Sequence, residues 1–244
     1  MPAPVLVWLR RDLRLDDSHA IAAALDTGAP LAFLYVLDTA MKRRGVGHAQ
    51  LGFIVEGLED LHGRLAERGG GLLVRRGDTV QQLVEVAREL GATRVCANRD
   101  EEPAAAVLER AAEEALRAVG AELLVIDDEV NVPHELVLTK EGNPCRTYSA
   151  YARGVRRVLE ELPAPPHDYD LTGRLQPAPA PLIPSVETLV GGPVSLRSDV
   201  PGGETHALAR LRSWRDEGYL ARYAKDRDLV AEPDATSRLS GYLR

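Results

Sequence analysis

Five short apolar runs, each separated from the next by an amphipathic stretch, constrain this chain more than any other feature. "VLVWL" (Val5–Leu9), "LAFLYVL" (Leu31–Leu37), "LLVR" (Leu72–Arg75), "RVCA" (Arg94–Ala97) and "ELLVI" (Glu122–Ile126) are near-continuous runs of strand length, as strands covered on both faces should be. Between them Leu51, Ile54, Leu58, Leu61 and Leu65 recur at steps of three and four, as do Val80, Leu83, Val84 and Ala87, and then Val107, Leu108, Ala111 and Ala115. These spacings predict helices. Gly28, Gly70, Gly91 and Gly120 each follow a helical stretch and precede a strand, where left-handed C′ residues are expected. Asp78, with Gln81 three residues on, reads as an N-cap with a capping-box partner. Such alternation requires right-handed crossovers, and so predicts an α/β fold with a doubly wound, Rossmann-like parallel sheet of five strands. Ligands of such sheets sit at the carboxyl ends of the strands, near the switch in strand order. Arg10–Asp17, Asp38 and Asn98–Glu102 fall there.

The pattern then changes. A polar turn, "TKEGNPCRTY" (Thr139–Tyr148), leads into one more helix over roughly Ser149–Glu161. From Pro163 to Pro201 nine of the chain's 16 prolines fall together, which excludes long helices and points to an extended connector. Helical pattern returns over Glu204–Glu217 and Gly218–Tyr223. We therefore expect an α/β domain over residues 1–132, its closing turn and helix over 133–162, a Pro-rich linker over 163–203, and the opening of a helical domain over 204–244. The 244 residues suffice for one sizeable domain with an appendage.

Charge and composition exclude several classes. A net charge of −7 argues against wrapping nucleic acid non-specifically. Glu204–Arg244, however, carries eight Lys/Arg against seven Asp/Glu, so a polyanion meets the C-terminal tail before the acidic body. No apolar run reaches the ~20 residues that span a bilayer, and Met1 leads into a strand without a basic n-region, so a cytoplasmic protein with no membrane partner is expected. Cys96 and Cys145 are too few for a disulfide framework, and the six histidines show no ligand spacing, so no metal is expected. "RGGGLL" (Arg68–Leu73) precedes a strand instead of following one, so it is no dinucleotide fingerprint.

Three stretches remain for chemistry. "LRRDLRLDD" (Leu9–Asp17) is a mixed-charge loop leaving the first strand, read most simply as a salt-bridged strand-to-helix turn. "NRDEEP" (Asn98–Pro103) offers adjacent carboxylates, or simply a solvated helix start with Pro103 in its first turn. "ATSRLSGYLR" (Ala235–Arg244) sets hydroxyls and an arginine on a short stretch with no core of its own, and hydroxyls with free backbone N–H groups suit phosphate oxygens. Trp8 and Trp214 read as packing residues, not redox relays.

A resemblance goes further. "VLVWLRRDLRLDDSHAIAAAL" (Val5–Leu25) resembles the opening signature of the DNA photolyase/cryptochrome family, usually W-F-R-x-D-L-R-x-x-D-N. In family order, "FLYVLD" (Phe33–Asp38) resembles the second strand, and "FIVEGLEDLHGRLAERGGGLLVRRGD" (Phe53–Asp78) the long helix and third strand. "NRDEEP" is similar to N-x-x-Y-E-P, and "GNPCRTYSAYAR" (Gly142–Arg153) to G-x-P-Y-x-V-F-T-P-F. "PGGETHALARLRSW" (Pro201–Trp214) resembles the helix opening the second half, and "YAKDRDLVAEPDATSRLSGYLR" (Tyr223–Arg244) the start of the flavin-binding region.

The resemblance implies a deoxyribodipyrimidine photolyase, in which light-excited FAD repairs cyclobutane pyrimidine dimers in DNA. It implies Thr236, Ser237, Arg238, Leu239 and Ser240 as the turn that binds the FAD phosphates, Tyr223 as a further contact to the same cofactor, and Arg227 as a DNA contact. In the family a large helical domain follows, encloses the flavin and receives the flipped-out dimer. The expectation is therefore an N-terminal part with a partial FAD site, inactive alone or acting with a separate helical subunit, and with no catalytic residue of its own. Departures stand at Ser18 for the usual asparagine, Glu101 for the aromatic of Y-E-P, and Cys145 for another aromatic. Ala104 and Ala105 replace the Asn-Glu pair that binds a folate antenna in some members, which favours a deazaflavin or flavin antenna, or none. A chromophore- or nucleotide-binding module and a cryptochrome-type blue-light receptor fragment are the alternative readings.

Overall fold

β1 (Val5–Leu9) is buried along its whole length, and its side chains divide between two separate apolar layers. Val5, Val7 and Leu9 join the first layer, Leu6 and Trp8 the second. β2 (Leu31–Asp38) repeats the division, with Leu31, Phe33, Tyr35 and Leu37 on one side and Ala32, Leu34 and Val36 on the other. Period-two alternation with both faces apolar requires helices on both faces. The first layer is covered by α1 (His19–Asp26) and α2 (His48–Glu67), the second by α3 (Thr79–Leu90) and α4 (Pro103–Arg117). With β3 (Leu72–Gly77), β4 (Arg94–Asn98) and β5 (Glu122–Ile126) the sheet is wholly parallel, in the order β3-β2-β1-β4-β5. This is the expected doubly wound α/β fold, and its strand order reverses between β1 and β4.

The computed structural model describes residues 2–39, 46–100, 102–128, 132, 134–139, 141–161, 168–193, 200–229, 231 and 234–242. Readings that fall on Glu101, Lys140, His167, residues 163–166 and 194–199, and Leu243–Arg244 lie outside them. Strand and helix limits depart from expectation where pairing, not apolarity, sets the end. β3 continues to Gly77 because Arg75, Arg76 and Gly77 stay in register with Val36, Leu37 and Asp38 of β2. Asp78 caps α3 by accepting from the Gln81 amide at 3.0 Å, but the Gln81 side chain turns to Glu85, so the capping box is not closed. Gly28, Gly91 and Gly120 are left-handed, whereas after α2 that role belongs to Gly69 (φ 80) and not to Gly70. Gly70 has a different duty: a Cβ there would lie 2.6 Å from Leu175.

Leu175 belongs to the Pro-rich stretch, whose described part, residues 168–193, lies along the first layer. Leu31 at the start of β2 donates to the Arg174 carbonyl and accepts from the Gln176 amide, both at 2.7 Å. Leu171, Val186 and Leu189 enter the same apolar layer, the last two from the short helix α6 (Val186–Val190). Before it, α5 (Tyr148–Glu161) packs Val158 on Val132 and Val137.

The C-terminal helices α7 (Glu204–Asp216) and α8 (Tyr219–Asp226) attach through α2. Gly202 and Gly203 bring the chain so close to α2 that a Cβ on Gly202 would overlap the Phe53 carbonyl and lie 2.9 Å from Glu56. Glu56 accepts from the Gly202 amide at 2.6 Å, and Asp60 from the Thr205 amide at 3.1 Å. Two α2 carboxylates thereby satisfy donors at the α7 N-terminus, where negative charge is also favoured by the helix dipole. Glu204 completes the junction, paired with Arg64 and accepting from the Leu15 amide at 2.7 Å and the Asp16 amide at 3.1 Å. Replacing Gly202 by alanine is expected to cost about 1–3 kcal/mol, the usual penalty of forcing atoms into a filled contact. Amide exchange in α7 should accelerate while the β1 and β2 amides stay protected, and equal exchange in both proteins would show that α7 is not seated through this glycine.

Candidate functional site

At the β1/β4 switch point the expected ligand end of the sheet is filled by the protein's own groups. Asn98, 4% exposed at the end of β4, donates from Nδ2 to Asp12 at 2.7 Å and to Ser18 Oγ at 3.0 Å, and accepts from the Ala20 amide at 2.8 Å. Ser18, where the family's asparagine usually stands, is the N-cap of α1. Arg10 pairs with Glu109 of α4 at 2.8 Å, donates to the Asn98 carbonyl, and lies 4.9 Å from the centre of the Trp8 ring. Arg14 pairs with Asp128 at 2.6 Å, and Arg11 with Glu102. The charged loop Leu9–Asp17 is thus a salt-bridged turn that ties β1 to β4 across the switch point. Tyr169 fastens the Pro-rich segment to it, donating to the Leu15 carbonyl at 2.6 Å and accepting from the Ser18 amide at 3.0 Å. Burial pushes the Tyr169 hydroxyl up to about 12 and the Cys96 thiol up to about 11, so neither ionises near neutrality. Desolvation raises the Asp12 carboxyl above its usual value, outweighing the Arg10 amide, the Asn98 side chain and the Arg14 charge.

A second arrangement lies on the C-terminal helices. Arg238 is left-handed (φ 55, ψ 22) and precedes a 3-10 turn over Leu239–Gly241. Thr236, Arg238 and Ser240 are exposed, while Ser237 and Leu239 are half-buried. The Ser237 hydroxyl accepts from the Leu239 amide at 3.4 Å, and the Thr236 and Ser240 hydroxyls have no partner among the described residues. Tyr223, on α8, meets Trp214 edge-on at 5.9 Å, and Trp214 Nε1 donates to the Asp234 carbonyl at 3.1 Å. Tyr223 and Asp234, two residues before Thr236, therefore meet on one tryptophan. Arg227 caps α8 and stays apart, exposed, with Nε 3.8 Å from Asp228. Tyr242 anchors the far end of the turn, donating to the Pro201 carbonyl at 2.7 Å and packing on Phe53 of α2 at 5.3 Å. Spacing alone named neither Asn98 as a hub nor Arg210, which holds the turn from α7. The only advance signal for Arg210 was its placement four residues before Trp214, hence on the same helix face.

Among the described residues no group of three His, Cys, Asp or Glu side chains is placed to hold a metal, and no helix is long and apolar enough to cross a membrane. The family model for DNA photolyase matches residues 5–167. The chain belongs to the DNA photolyase/cryptochrome family. It is 32% identical to a deoxyribodipyrimidine photo-lyase of Agrobacterium fabrum over 99% of this chain and 50% of that protein. Cryptochrome-2 of Gallus gallus is 29% identical over 97% of this chain and 43% of its own length. The crystal structure of a bacterial class III photolyase from Agrobacterium tumefaciens superposes with a TM-score of 0.82 at 30% identity, covering 99% of this chain and 50% of that one. The chain thus spans about half the length of the photolyases it matches. Two arrangements thus stand side by side in this chain: a closed switch point in the α/β domain and an open, hydroxyl-bearing turn after the C-terminal helices.

Two outcomes follow from the closed end. Asn98→Ala leaves Ser18, Asp12 and the Ala20 amide short of partners in a buried setting, so chemical denaturation should show a loss of roughly 2–4 kcal/mol. A loss below about 0.5 kcal/mol, the range of ordinary surface changes, would remove Asn98 as the hub. For Asp12, the folded chain holds its proton more tightly than the unfolded one between the ordinary value of 3.8 and the raised value. Stability from this group therefore falls as pH rises through that window and is regained on acidification. Denaturation of wild type and Asp12→Asn across pH should give curves that diverge upward through the window, and parallel curves would contradict the raised value.

Proposed function

We infer that this chain is the α/β part, with the flavin-phosphate edge, of a deoxyribodipyrimidine photolyase that repairs cyclobutane pyrimidine dimers in DNA. The observation that carries this reading is the turn Thr236–Ser240, whose Thr236 and Ser240 hydroxyls have no partner among the described residues and whose Arg238 is left-handed, with Tyr223 packed on Trp214 of α7, the helix that holds the turn. Those donors fit a pyrophosphate, which takes hydroxyl and main-chain N–H groups without needing a general acid or base. When bound, FAD supplies the light-excited electron donor of the repair reaction. This chain's own residues bind and orient. Thr236, Ser237, Arg238 and Ser240 receive the phosphates, Leu239 closes the turn, and Tyr223 presents its half-open ring to the cofactor. Arg227 is exposed and only loosely paired with Asp228, so its guanidinium is free to exchange that partner for a DNA phosphate. No side chain is assigned a proton-transfer role.

An antenna chromophore belongs to the same reading, a flavin or deazaflavin in preference to folate. Ala105 is buried in α4 and Ala104 has no polar atom in its side chain, so the position that binds folate elsewhere offers no donor here. A groove of about 500 Å³ beside the ends of β2 and β3, lined by Leu37, Val74, Arg76 and Pro181–Ser185, has the volume of a small-molecule site.

Purified and assayed by themselves, the 244 residues are expected to give little or no light-dependent repair of an oligonucleotide carrying a cyclobutane dimer. Enclosing the flavin and receiving an extruded base fall, in the family, to helices beyond this turn. Supplying the helical half of a photolyase with FAD should produce repair. Robust turnover by the chain alone would overturn the division of labour, and a bound near-ultraviolet chromophore without any FAD affinity would favour an antenna-binding module. Light-induced spectral change without dimer binding in the reconstituted pair would favour a cryptochrome-type receptor.

A further inference from the structure

Two α7 side chains reach the Asp234–Ser240 turn from behind. Arg210 donates from Nε to the Ser237 carbonyl at 3.0 Å and from Nη2 to the Thr236 carbonyl at 3.3 Å, and the same Nη2 lies 2.7 Å from the Asp234 carboxylate. Trp214, 8% exposed, donates to the Asp234 carbonyl at 3.1 Å. Three backbone carbonyls and one carboxylate of a short segment are thus fastened to a single helix face. A trans peptide sets its C=O and N–H on opposite sides. Holding the Thr236 and Ser237 carbonyls against α7 therefore turns the following amides, those of Ser237 and Arg238, to the far side. Neither amide has a partner among the described residues. Left-handed Arg238 supplies half of the αR–αL alternation from which anion-binding nests are made, and a non-glycine residue holds that conformation only where its surroundings enforce it.

We propose that Arg210, with Trp214, is a positioning clamp that shapes this turn for a diphosphate before any ligand arrives. The proposal rests on the flavin reading for the identity of its ligand, but not for the clamp itself. A preformed turn spares the ordering cost that a loose segment meets on binding. The planar guanidinium is suited to this task because its fork reaches two carbonyls at once, which a lysine ammonium on a flexible stem does not. Arg210 thus touches the turn and not the ligand.

The full chain as wild type, Arg210→Met and Arg210→Lys can be compared by amide hydrogen exchange without ligand, by thermal unfolding, and by titration with FAD and with riboflavin, which has the ring but no phosphate. Arg210→Met should speed exchange at residues 235–240 and leave the sheet amides and the unfolding midpoint of the α/β domain in place. It should weaken FAD about tenfold, the worth of one charge-assisted hydrogen-bonded pair, and leave riboflavin unchanged. Arg210→Lys should recover only part of the FAD affinity. Should Arg210→Met fail to fold, Trp214→Phe, which keeps an aromatic ring at the position and deletes the Nε1 donor, should loosen the Asp234 end in the same assay. Unchanged exchange in the turn overturns the clamp whatever FAD does, and equal weakening of FAD and riboflavin overturns its action on the phosphates. Faster exchange in the variant alongside a wild-type chain that binds no FAD upholds the clamp and removes the flavin reading instead.

Discussion

Helix α2 carries the rest of the structure because it is needed on two sides. Leu58, Leu61 and Leu65 close the first apolar layer over β1 and β2. Phe53, Glu56, Asp60 and Arg64, on turns of the same helix, receive Gly202–Glu204 and the ring of Tyr242. A helix apolar on one stripe and acidic on the other would ordinarily turn its second face to water. Here the acidic face is occupied by the backbone donors of another helix end, which a solvated face never supplies. Losing the sheet contact would unfold the domain, whereas losing the second contact would free α7, α8 and the hydroxyl-bearing turn together. The orientation of the C-terminal site is therefore set by a helix more than 140 residues earlier in the chain.

This junction also explains what the sequence could and could not say. All five strands were legible because burial on two faces writes a continuous apolar run, a local signal that survives without any knowledge of partners. The ends are less legible, since β3 continues past Arg75 through Arg76 and Gly77 on backbone pairing alone. Gly70 was misread as a helix terminator because a glycine after a helix is ambiguous between backbone freedom and close approach. Gly69 takes the positive φ, and Gly70 makes room for Leu175, about a hundred residues away. The same limit hides the site's supports. Asn98 acts through partners 78 to 86 residues distant, and Arg210 through carbonyls 26 and 27 residues on. A motif shows which residues stand together along the chain, and the turn Thr236–Ser240 could be singled out that way. What holds the turn is a tertiary fact.

Electrostatically, the two ends of the molecule are treated in opposite ways. At the switch point Arg10, Arg11 and Arg14 each meet a carboxylate, and Asn98 spends its side-chain hydrogen bonds on Asp12, Ser18 and Ala20. Buried polar groups are tolerable only when satisfied, and this set is nearly closed on itself. It stiffens the joint between β1 and β4 and leaves little affinity for an outside anion. In the C-terminal segment donors stay open among the described residues: two hydroxyls, two main-chain amides, and the exposed guanidiniums of Arg238 and of Arg227, whose Nε is 3.8 Å from Asp228. Residues 1–203 carry a formal charge of −8 and residues 204–244 one of +1. An acidic body with a near-neutral, donor-rich tail steers a polyanion to the tail.

The contrast bears on how, under the proposed function, one segment would serve two ligands of the same sign. Phosphates of a cofactor and phosphates of DNA would compete for any patch defined only by positive charge, because point charges do not read shape. On that reading they would be separated by place, the cofactor at the Thr236–Ser240 turn and DNA at the end of α8. The turn presents hydroxyls and amides fixed by Arg210, a guanidinium already committed to carbonyls and so unavailable to either anion. Arg227 stands at the end of α8 with only a weak, exposed partner. On that reading the turn, held by Arg210, would favour a compact diphosphate, and the exposed Arg227 at the end of α8 an extended backbone.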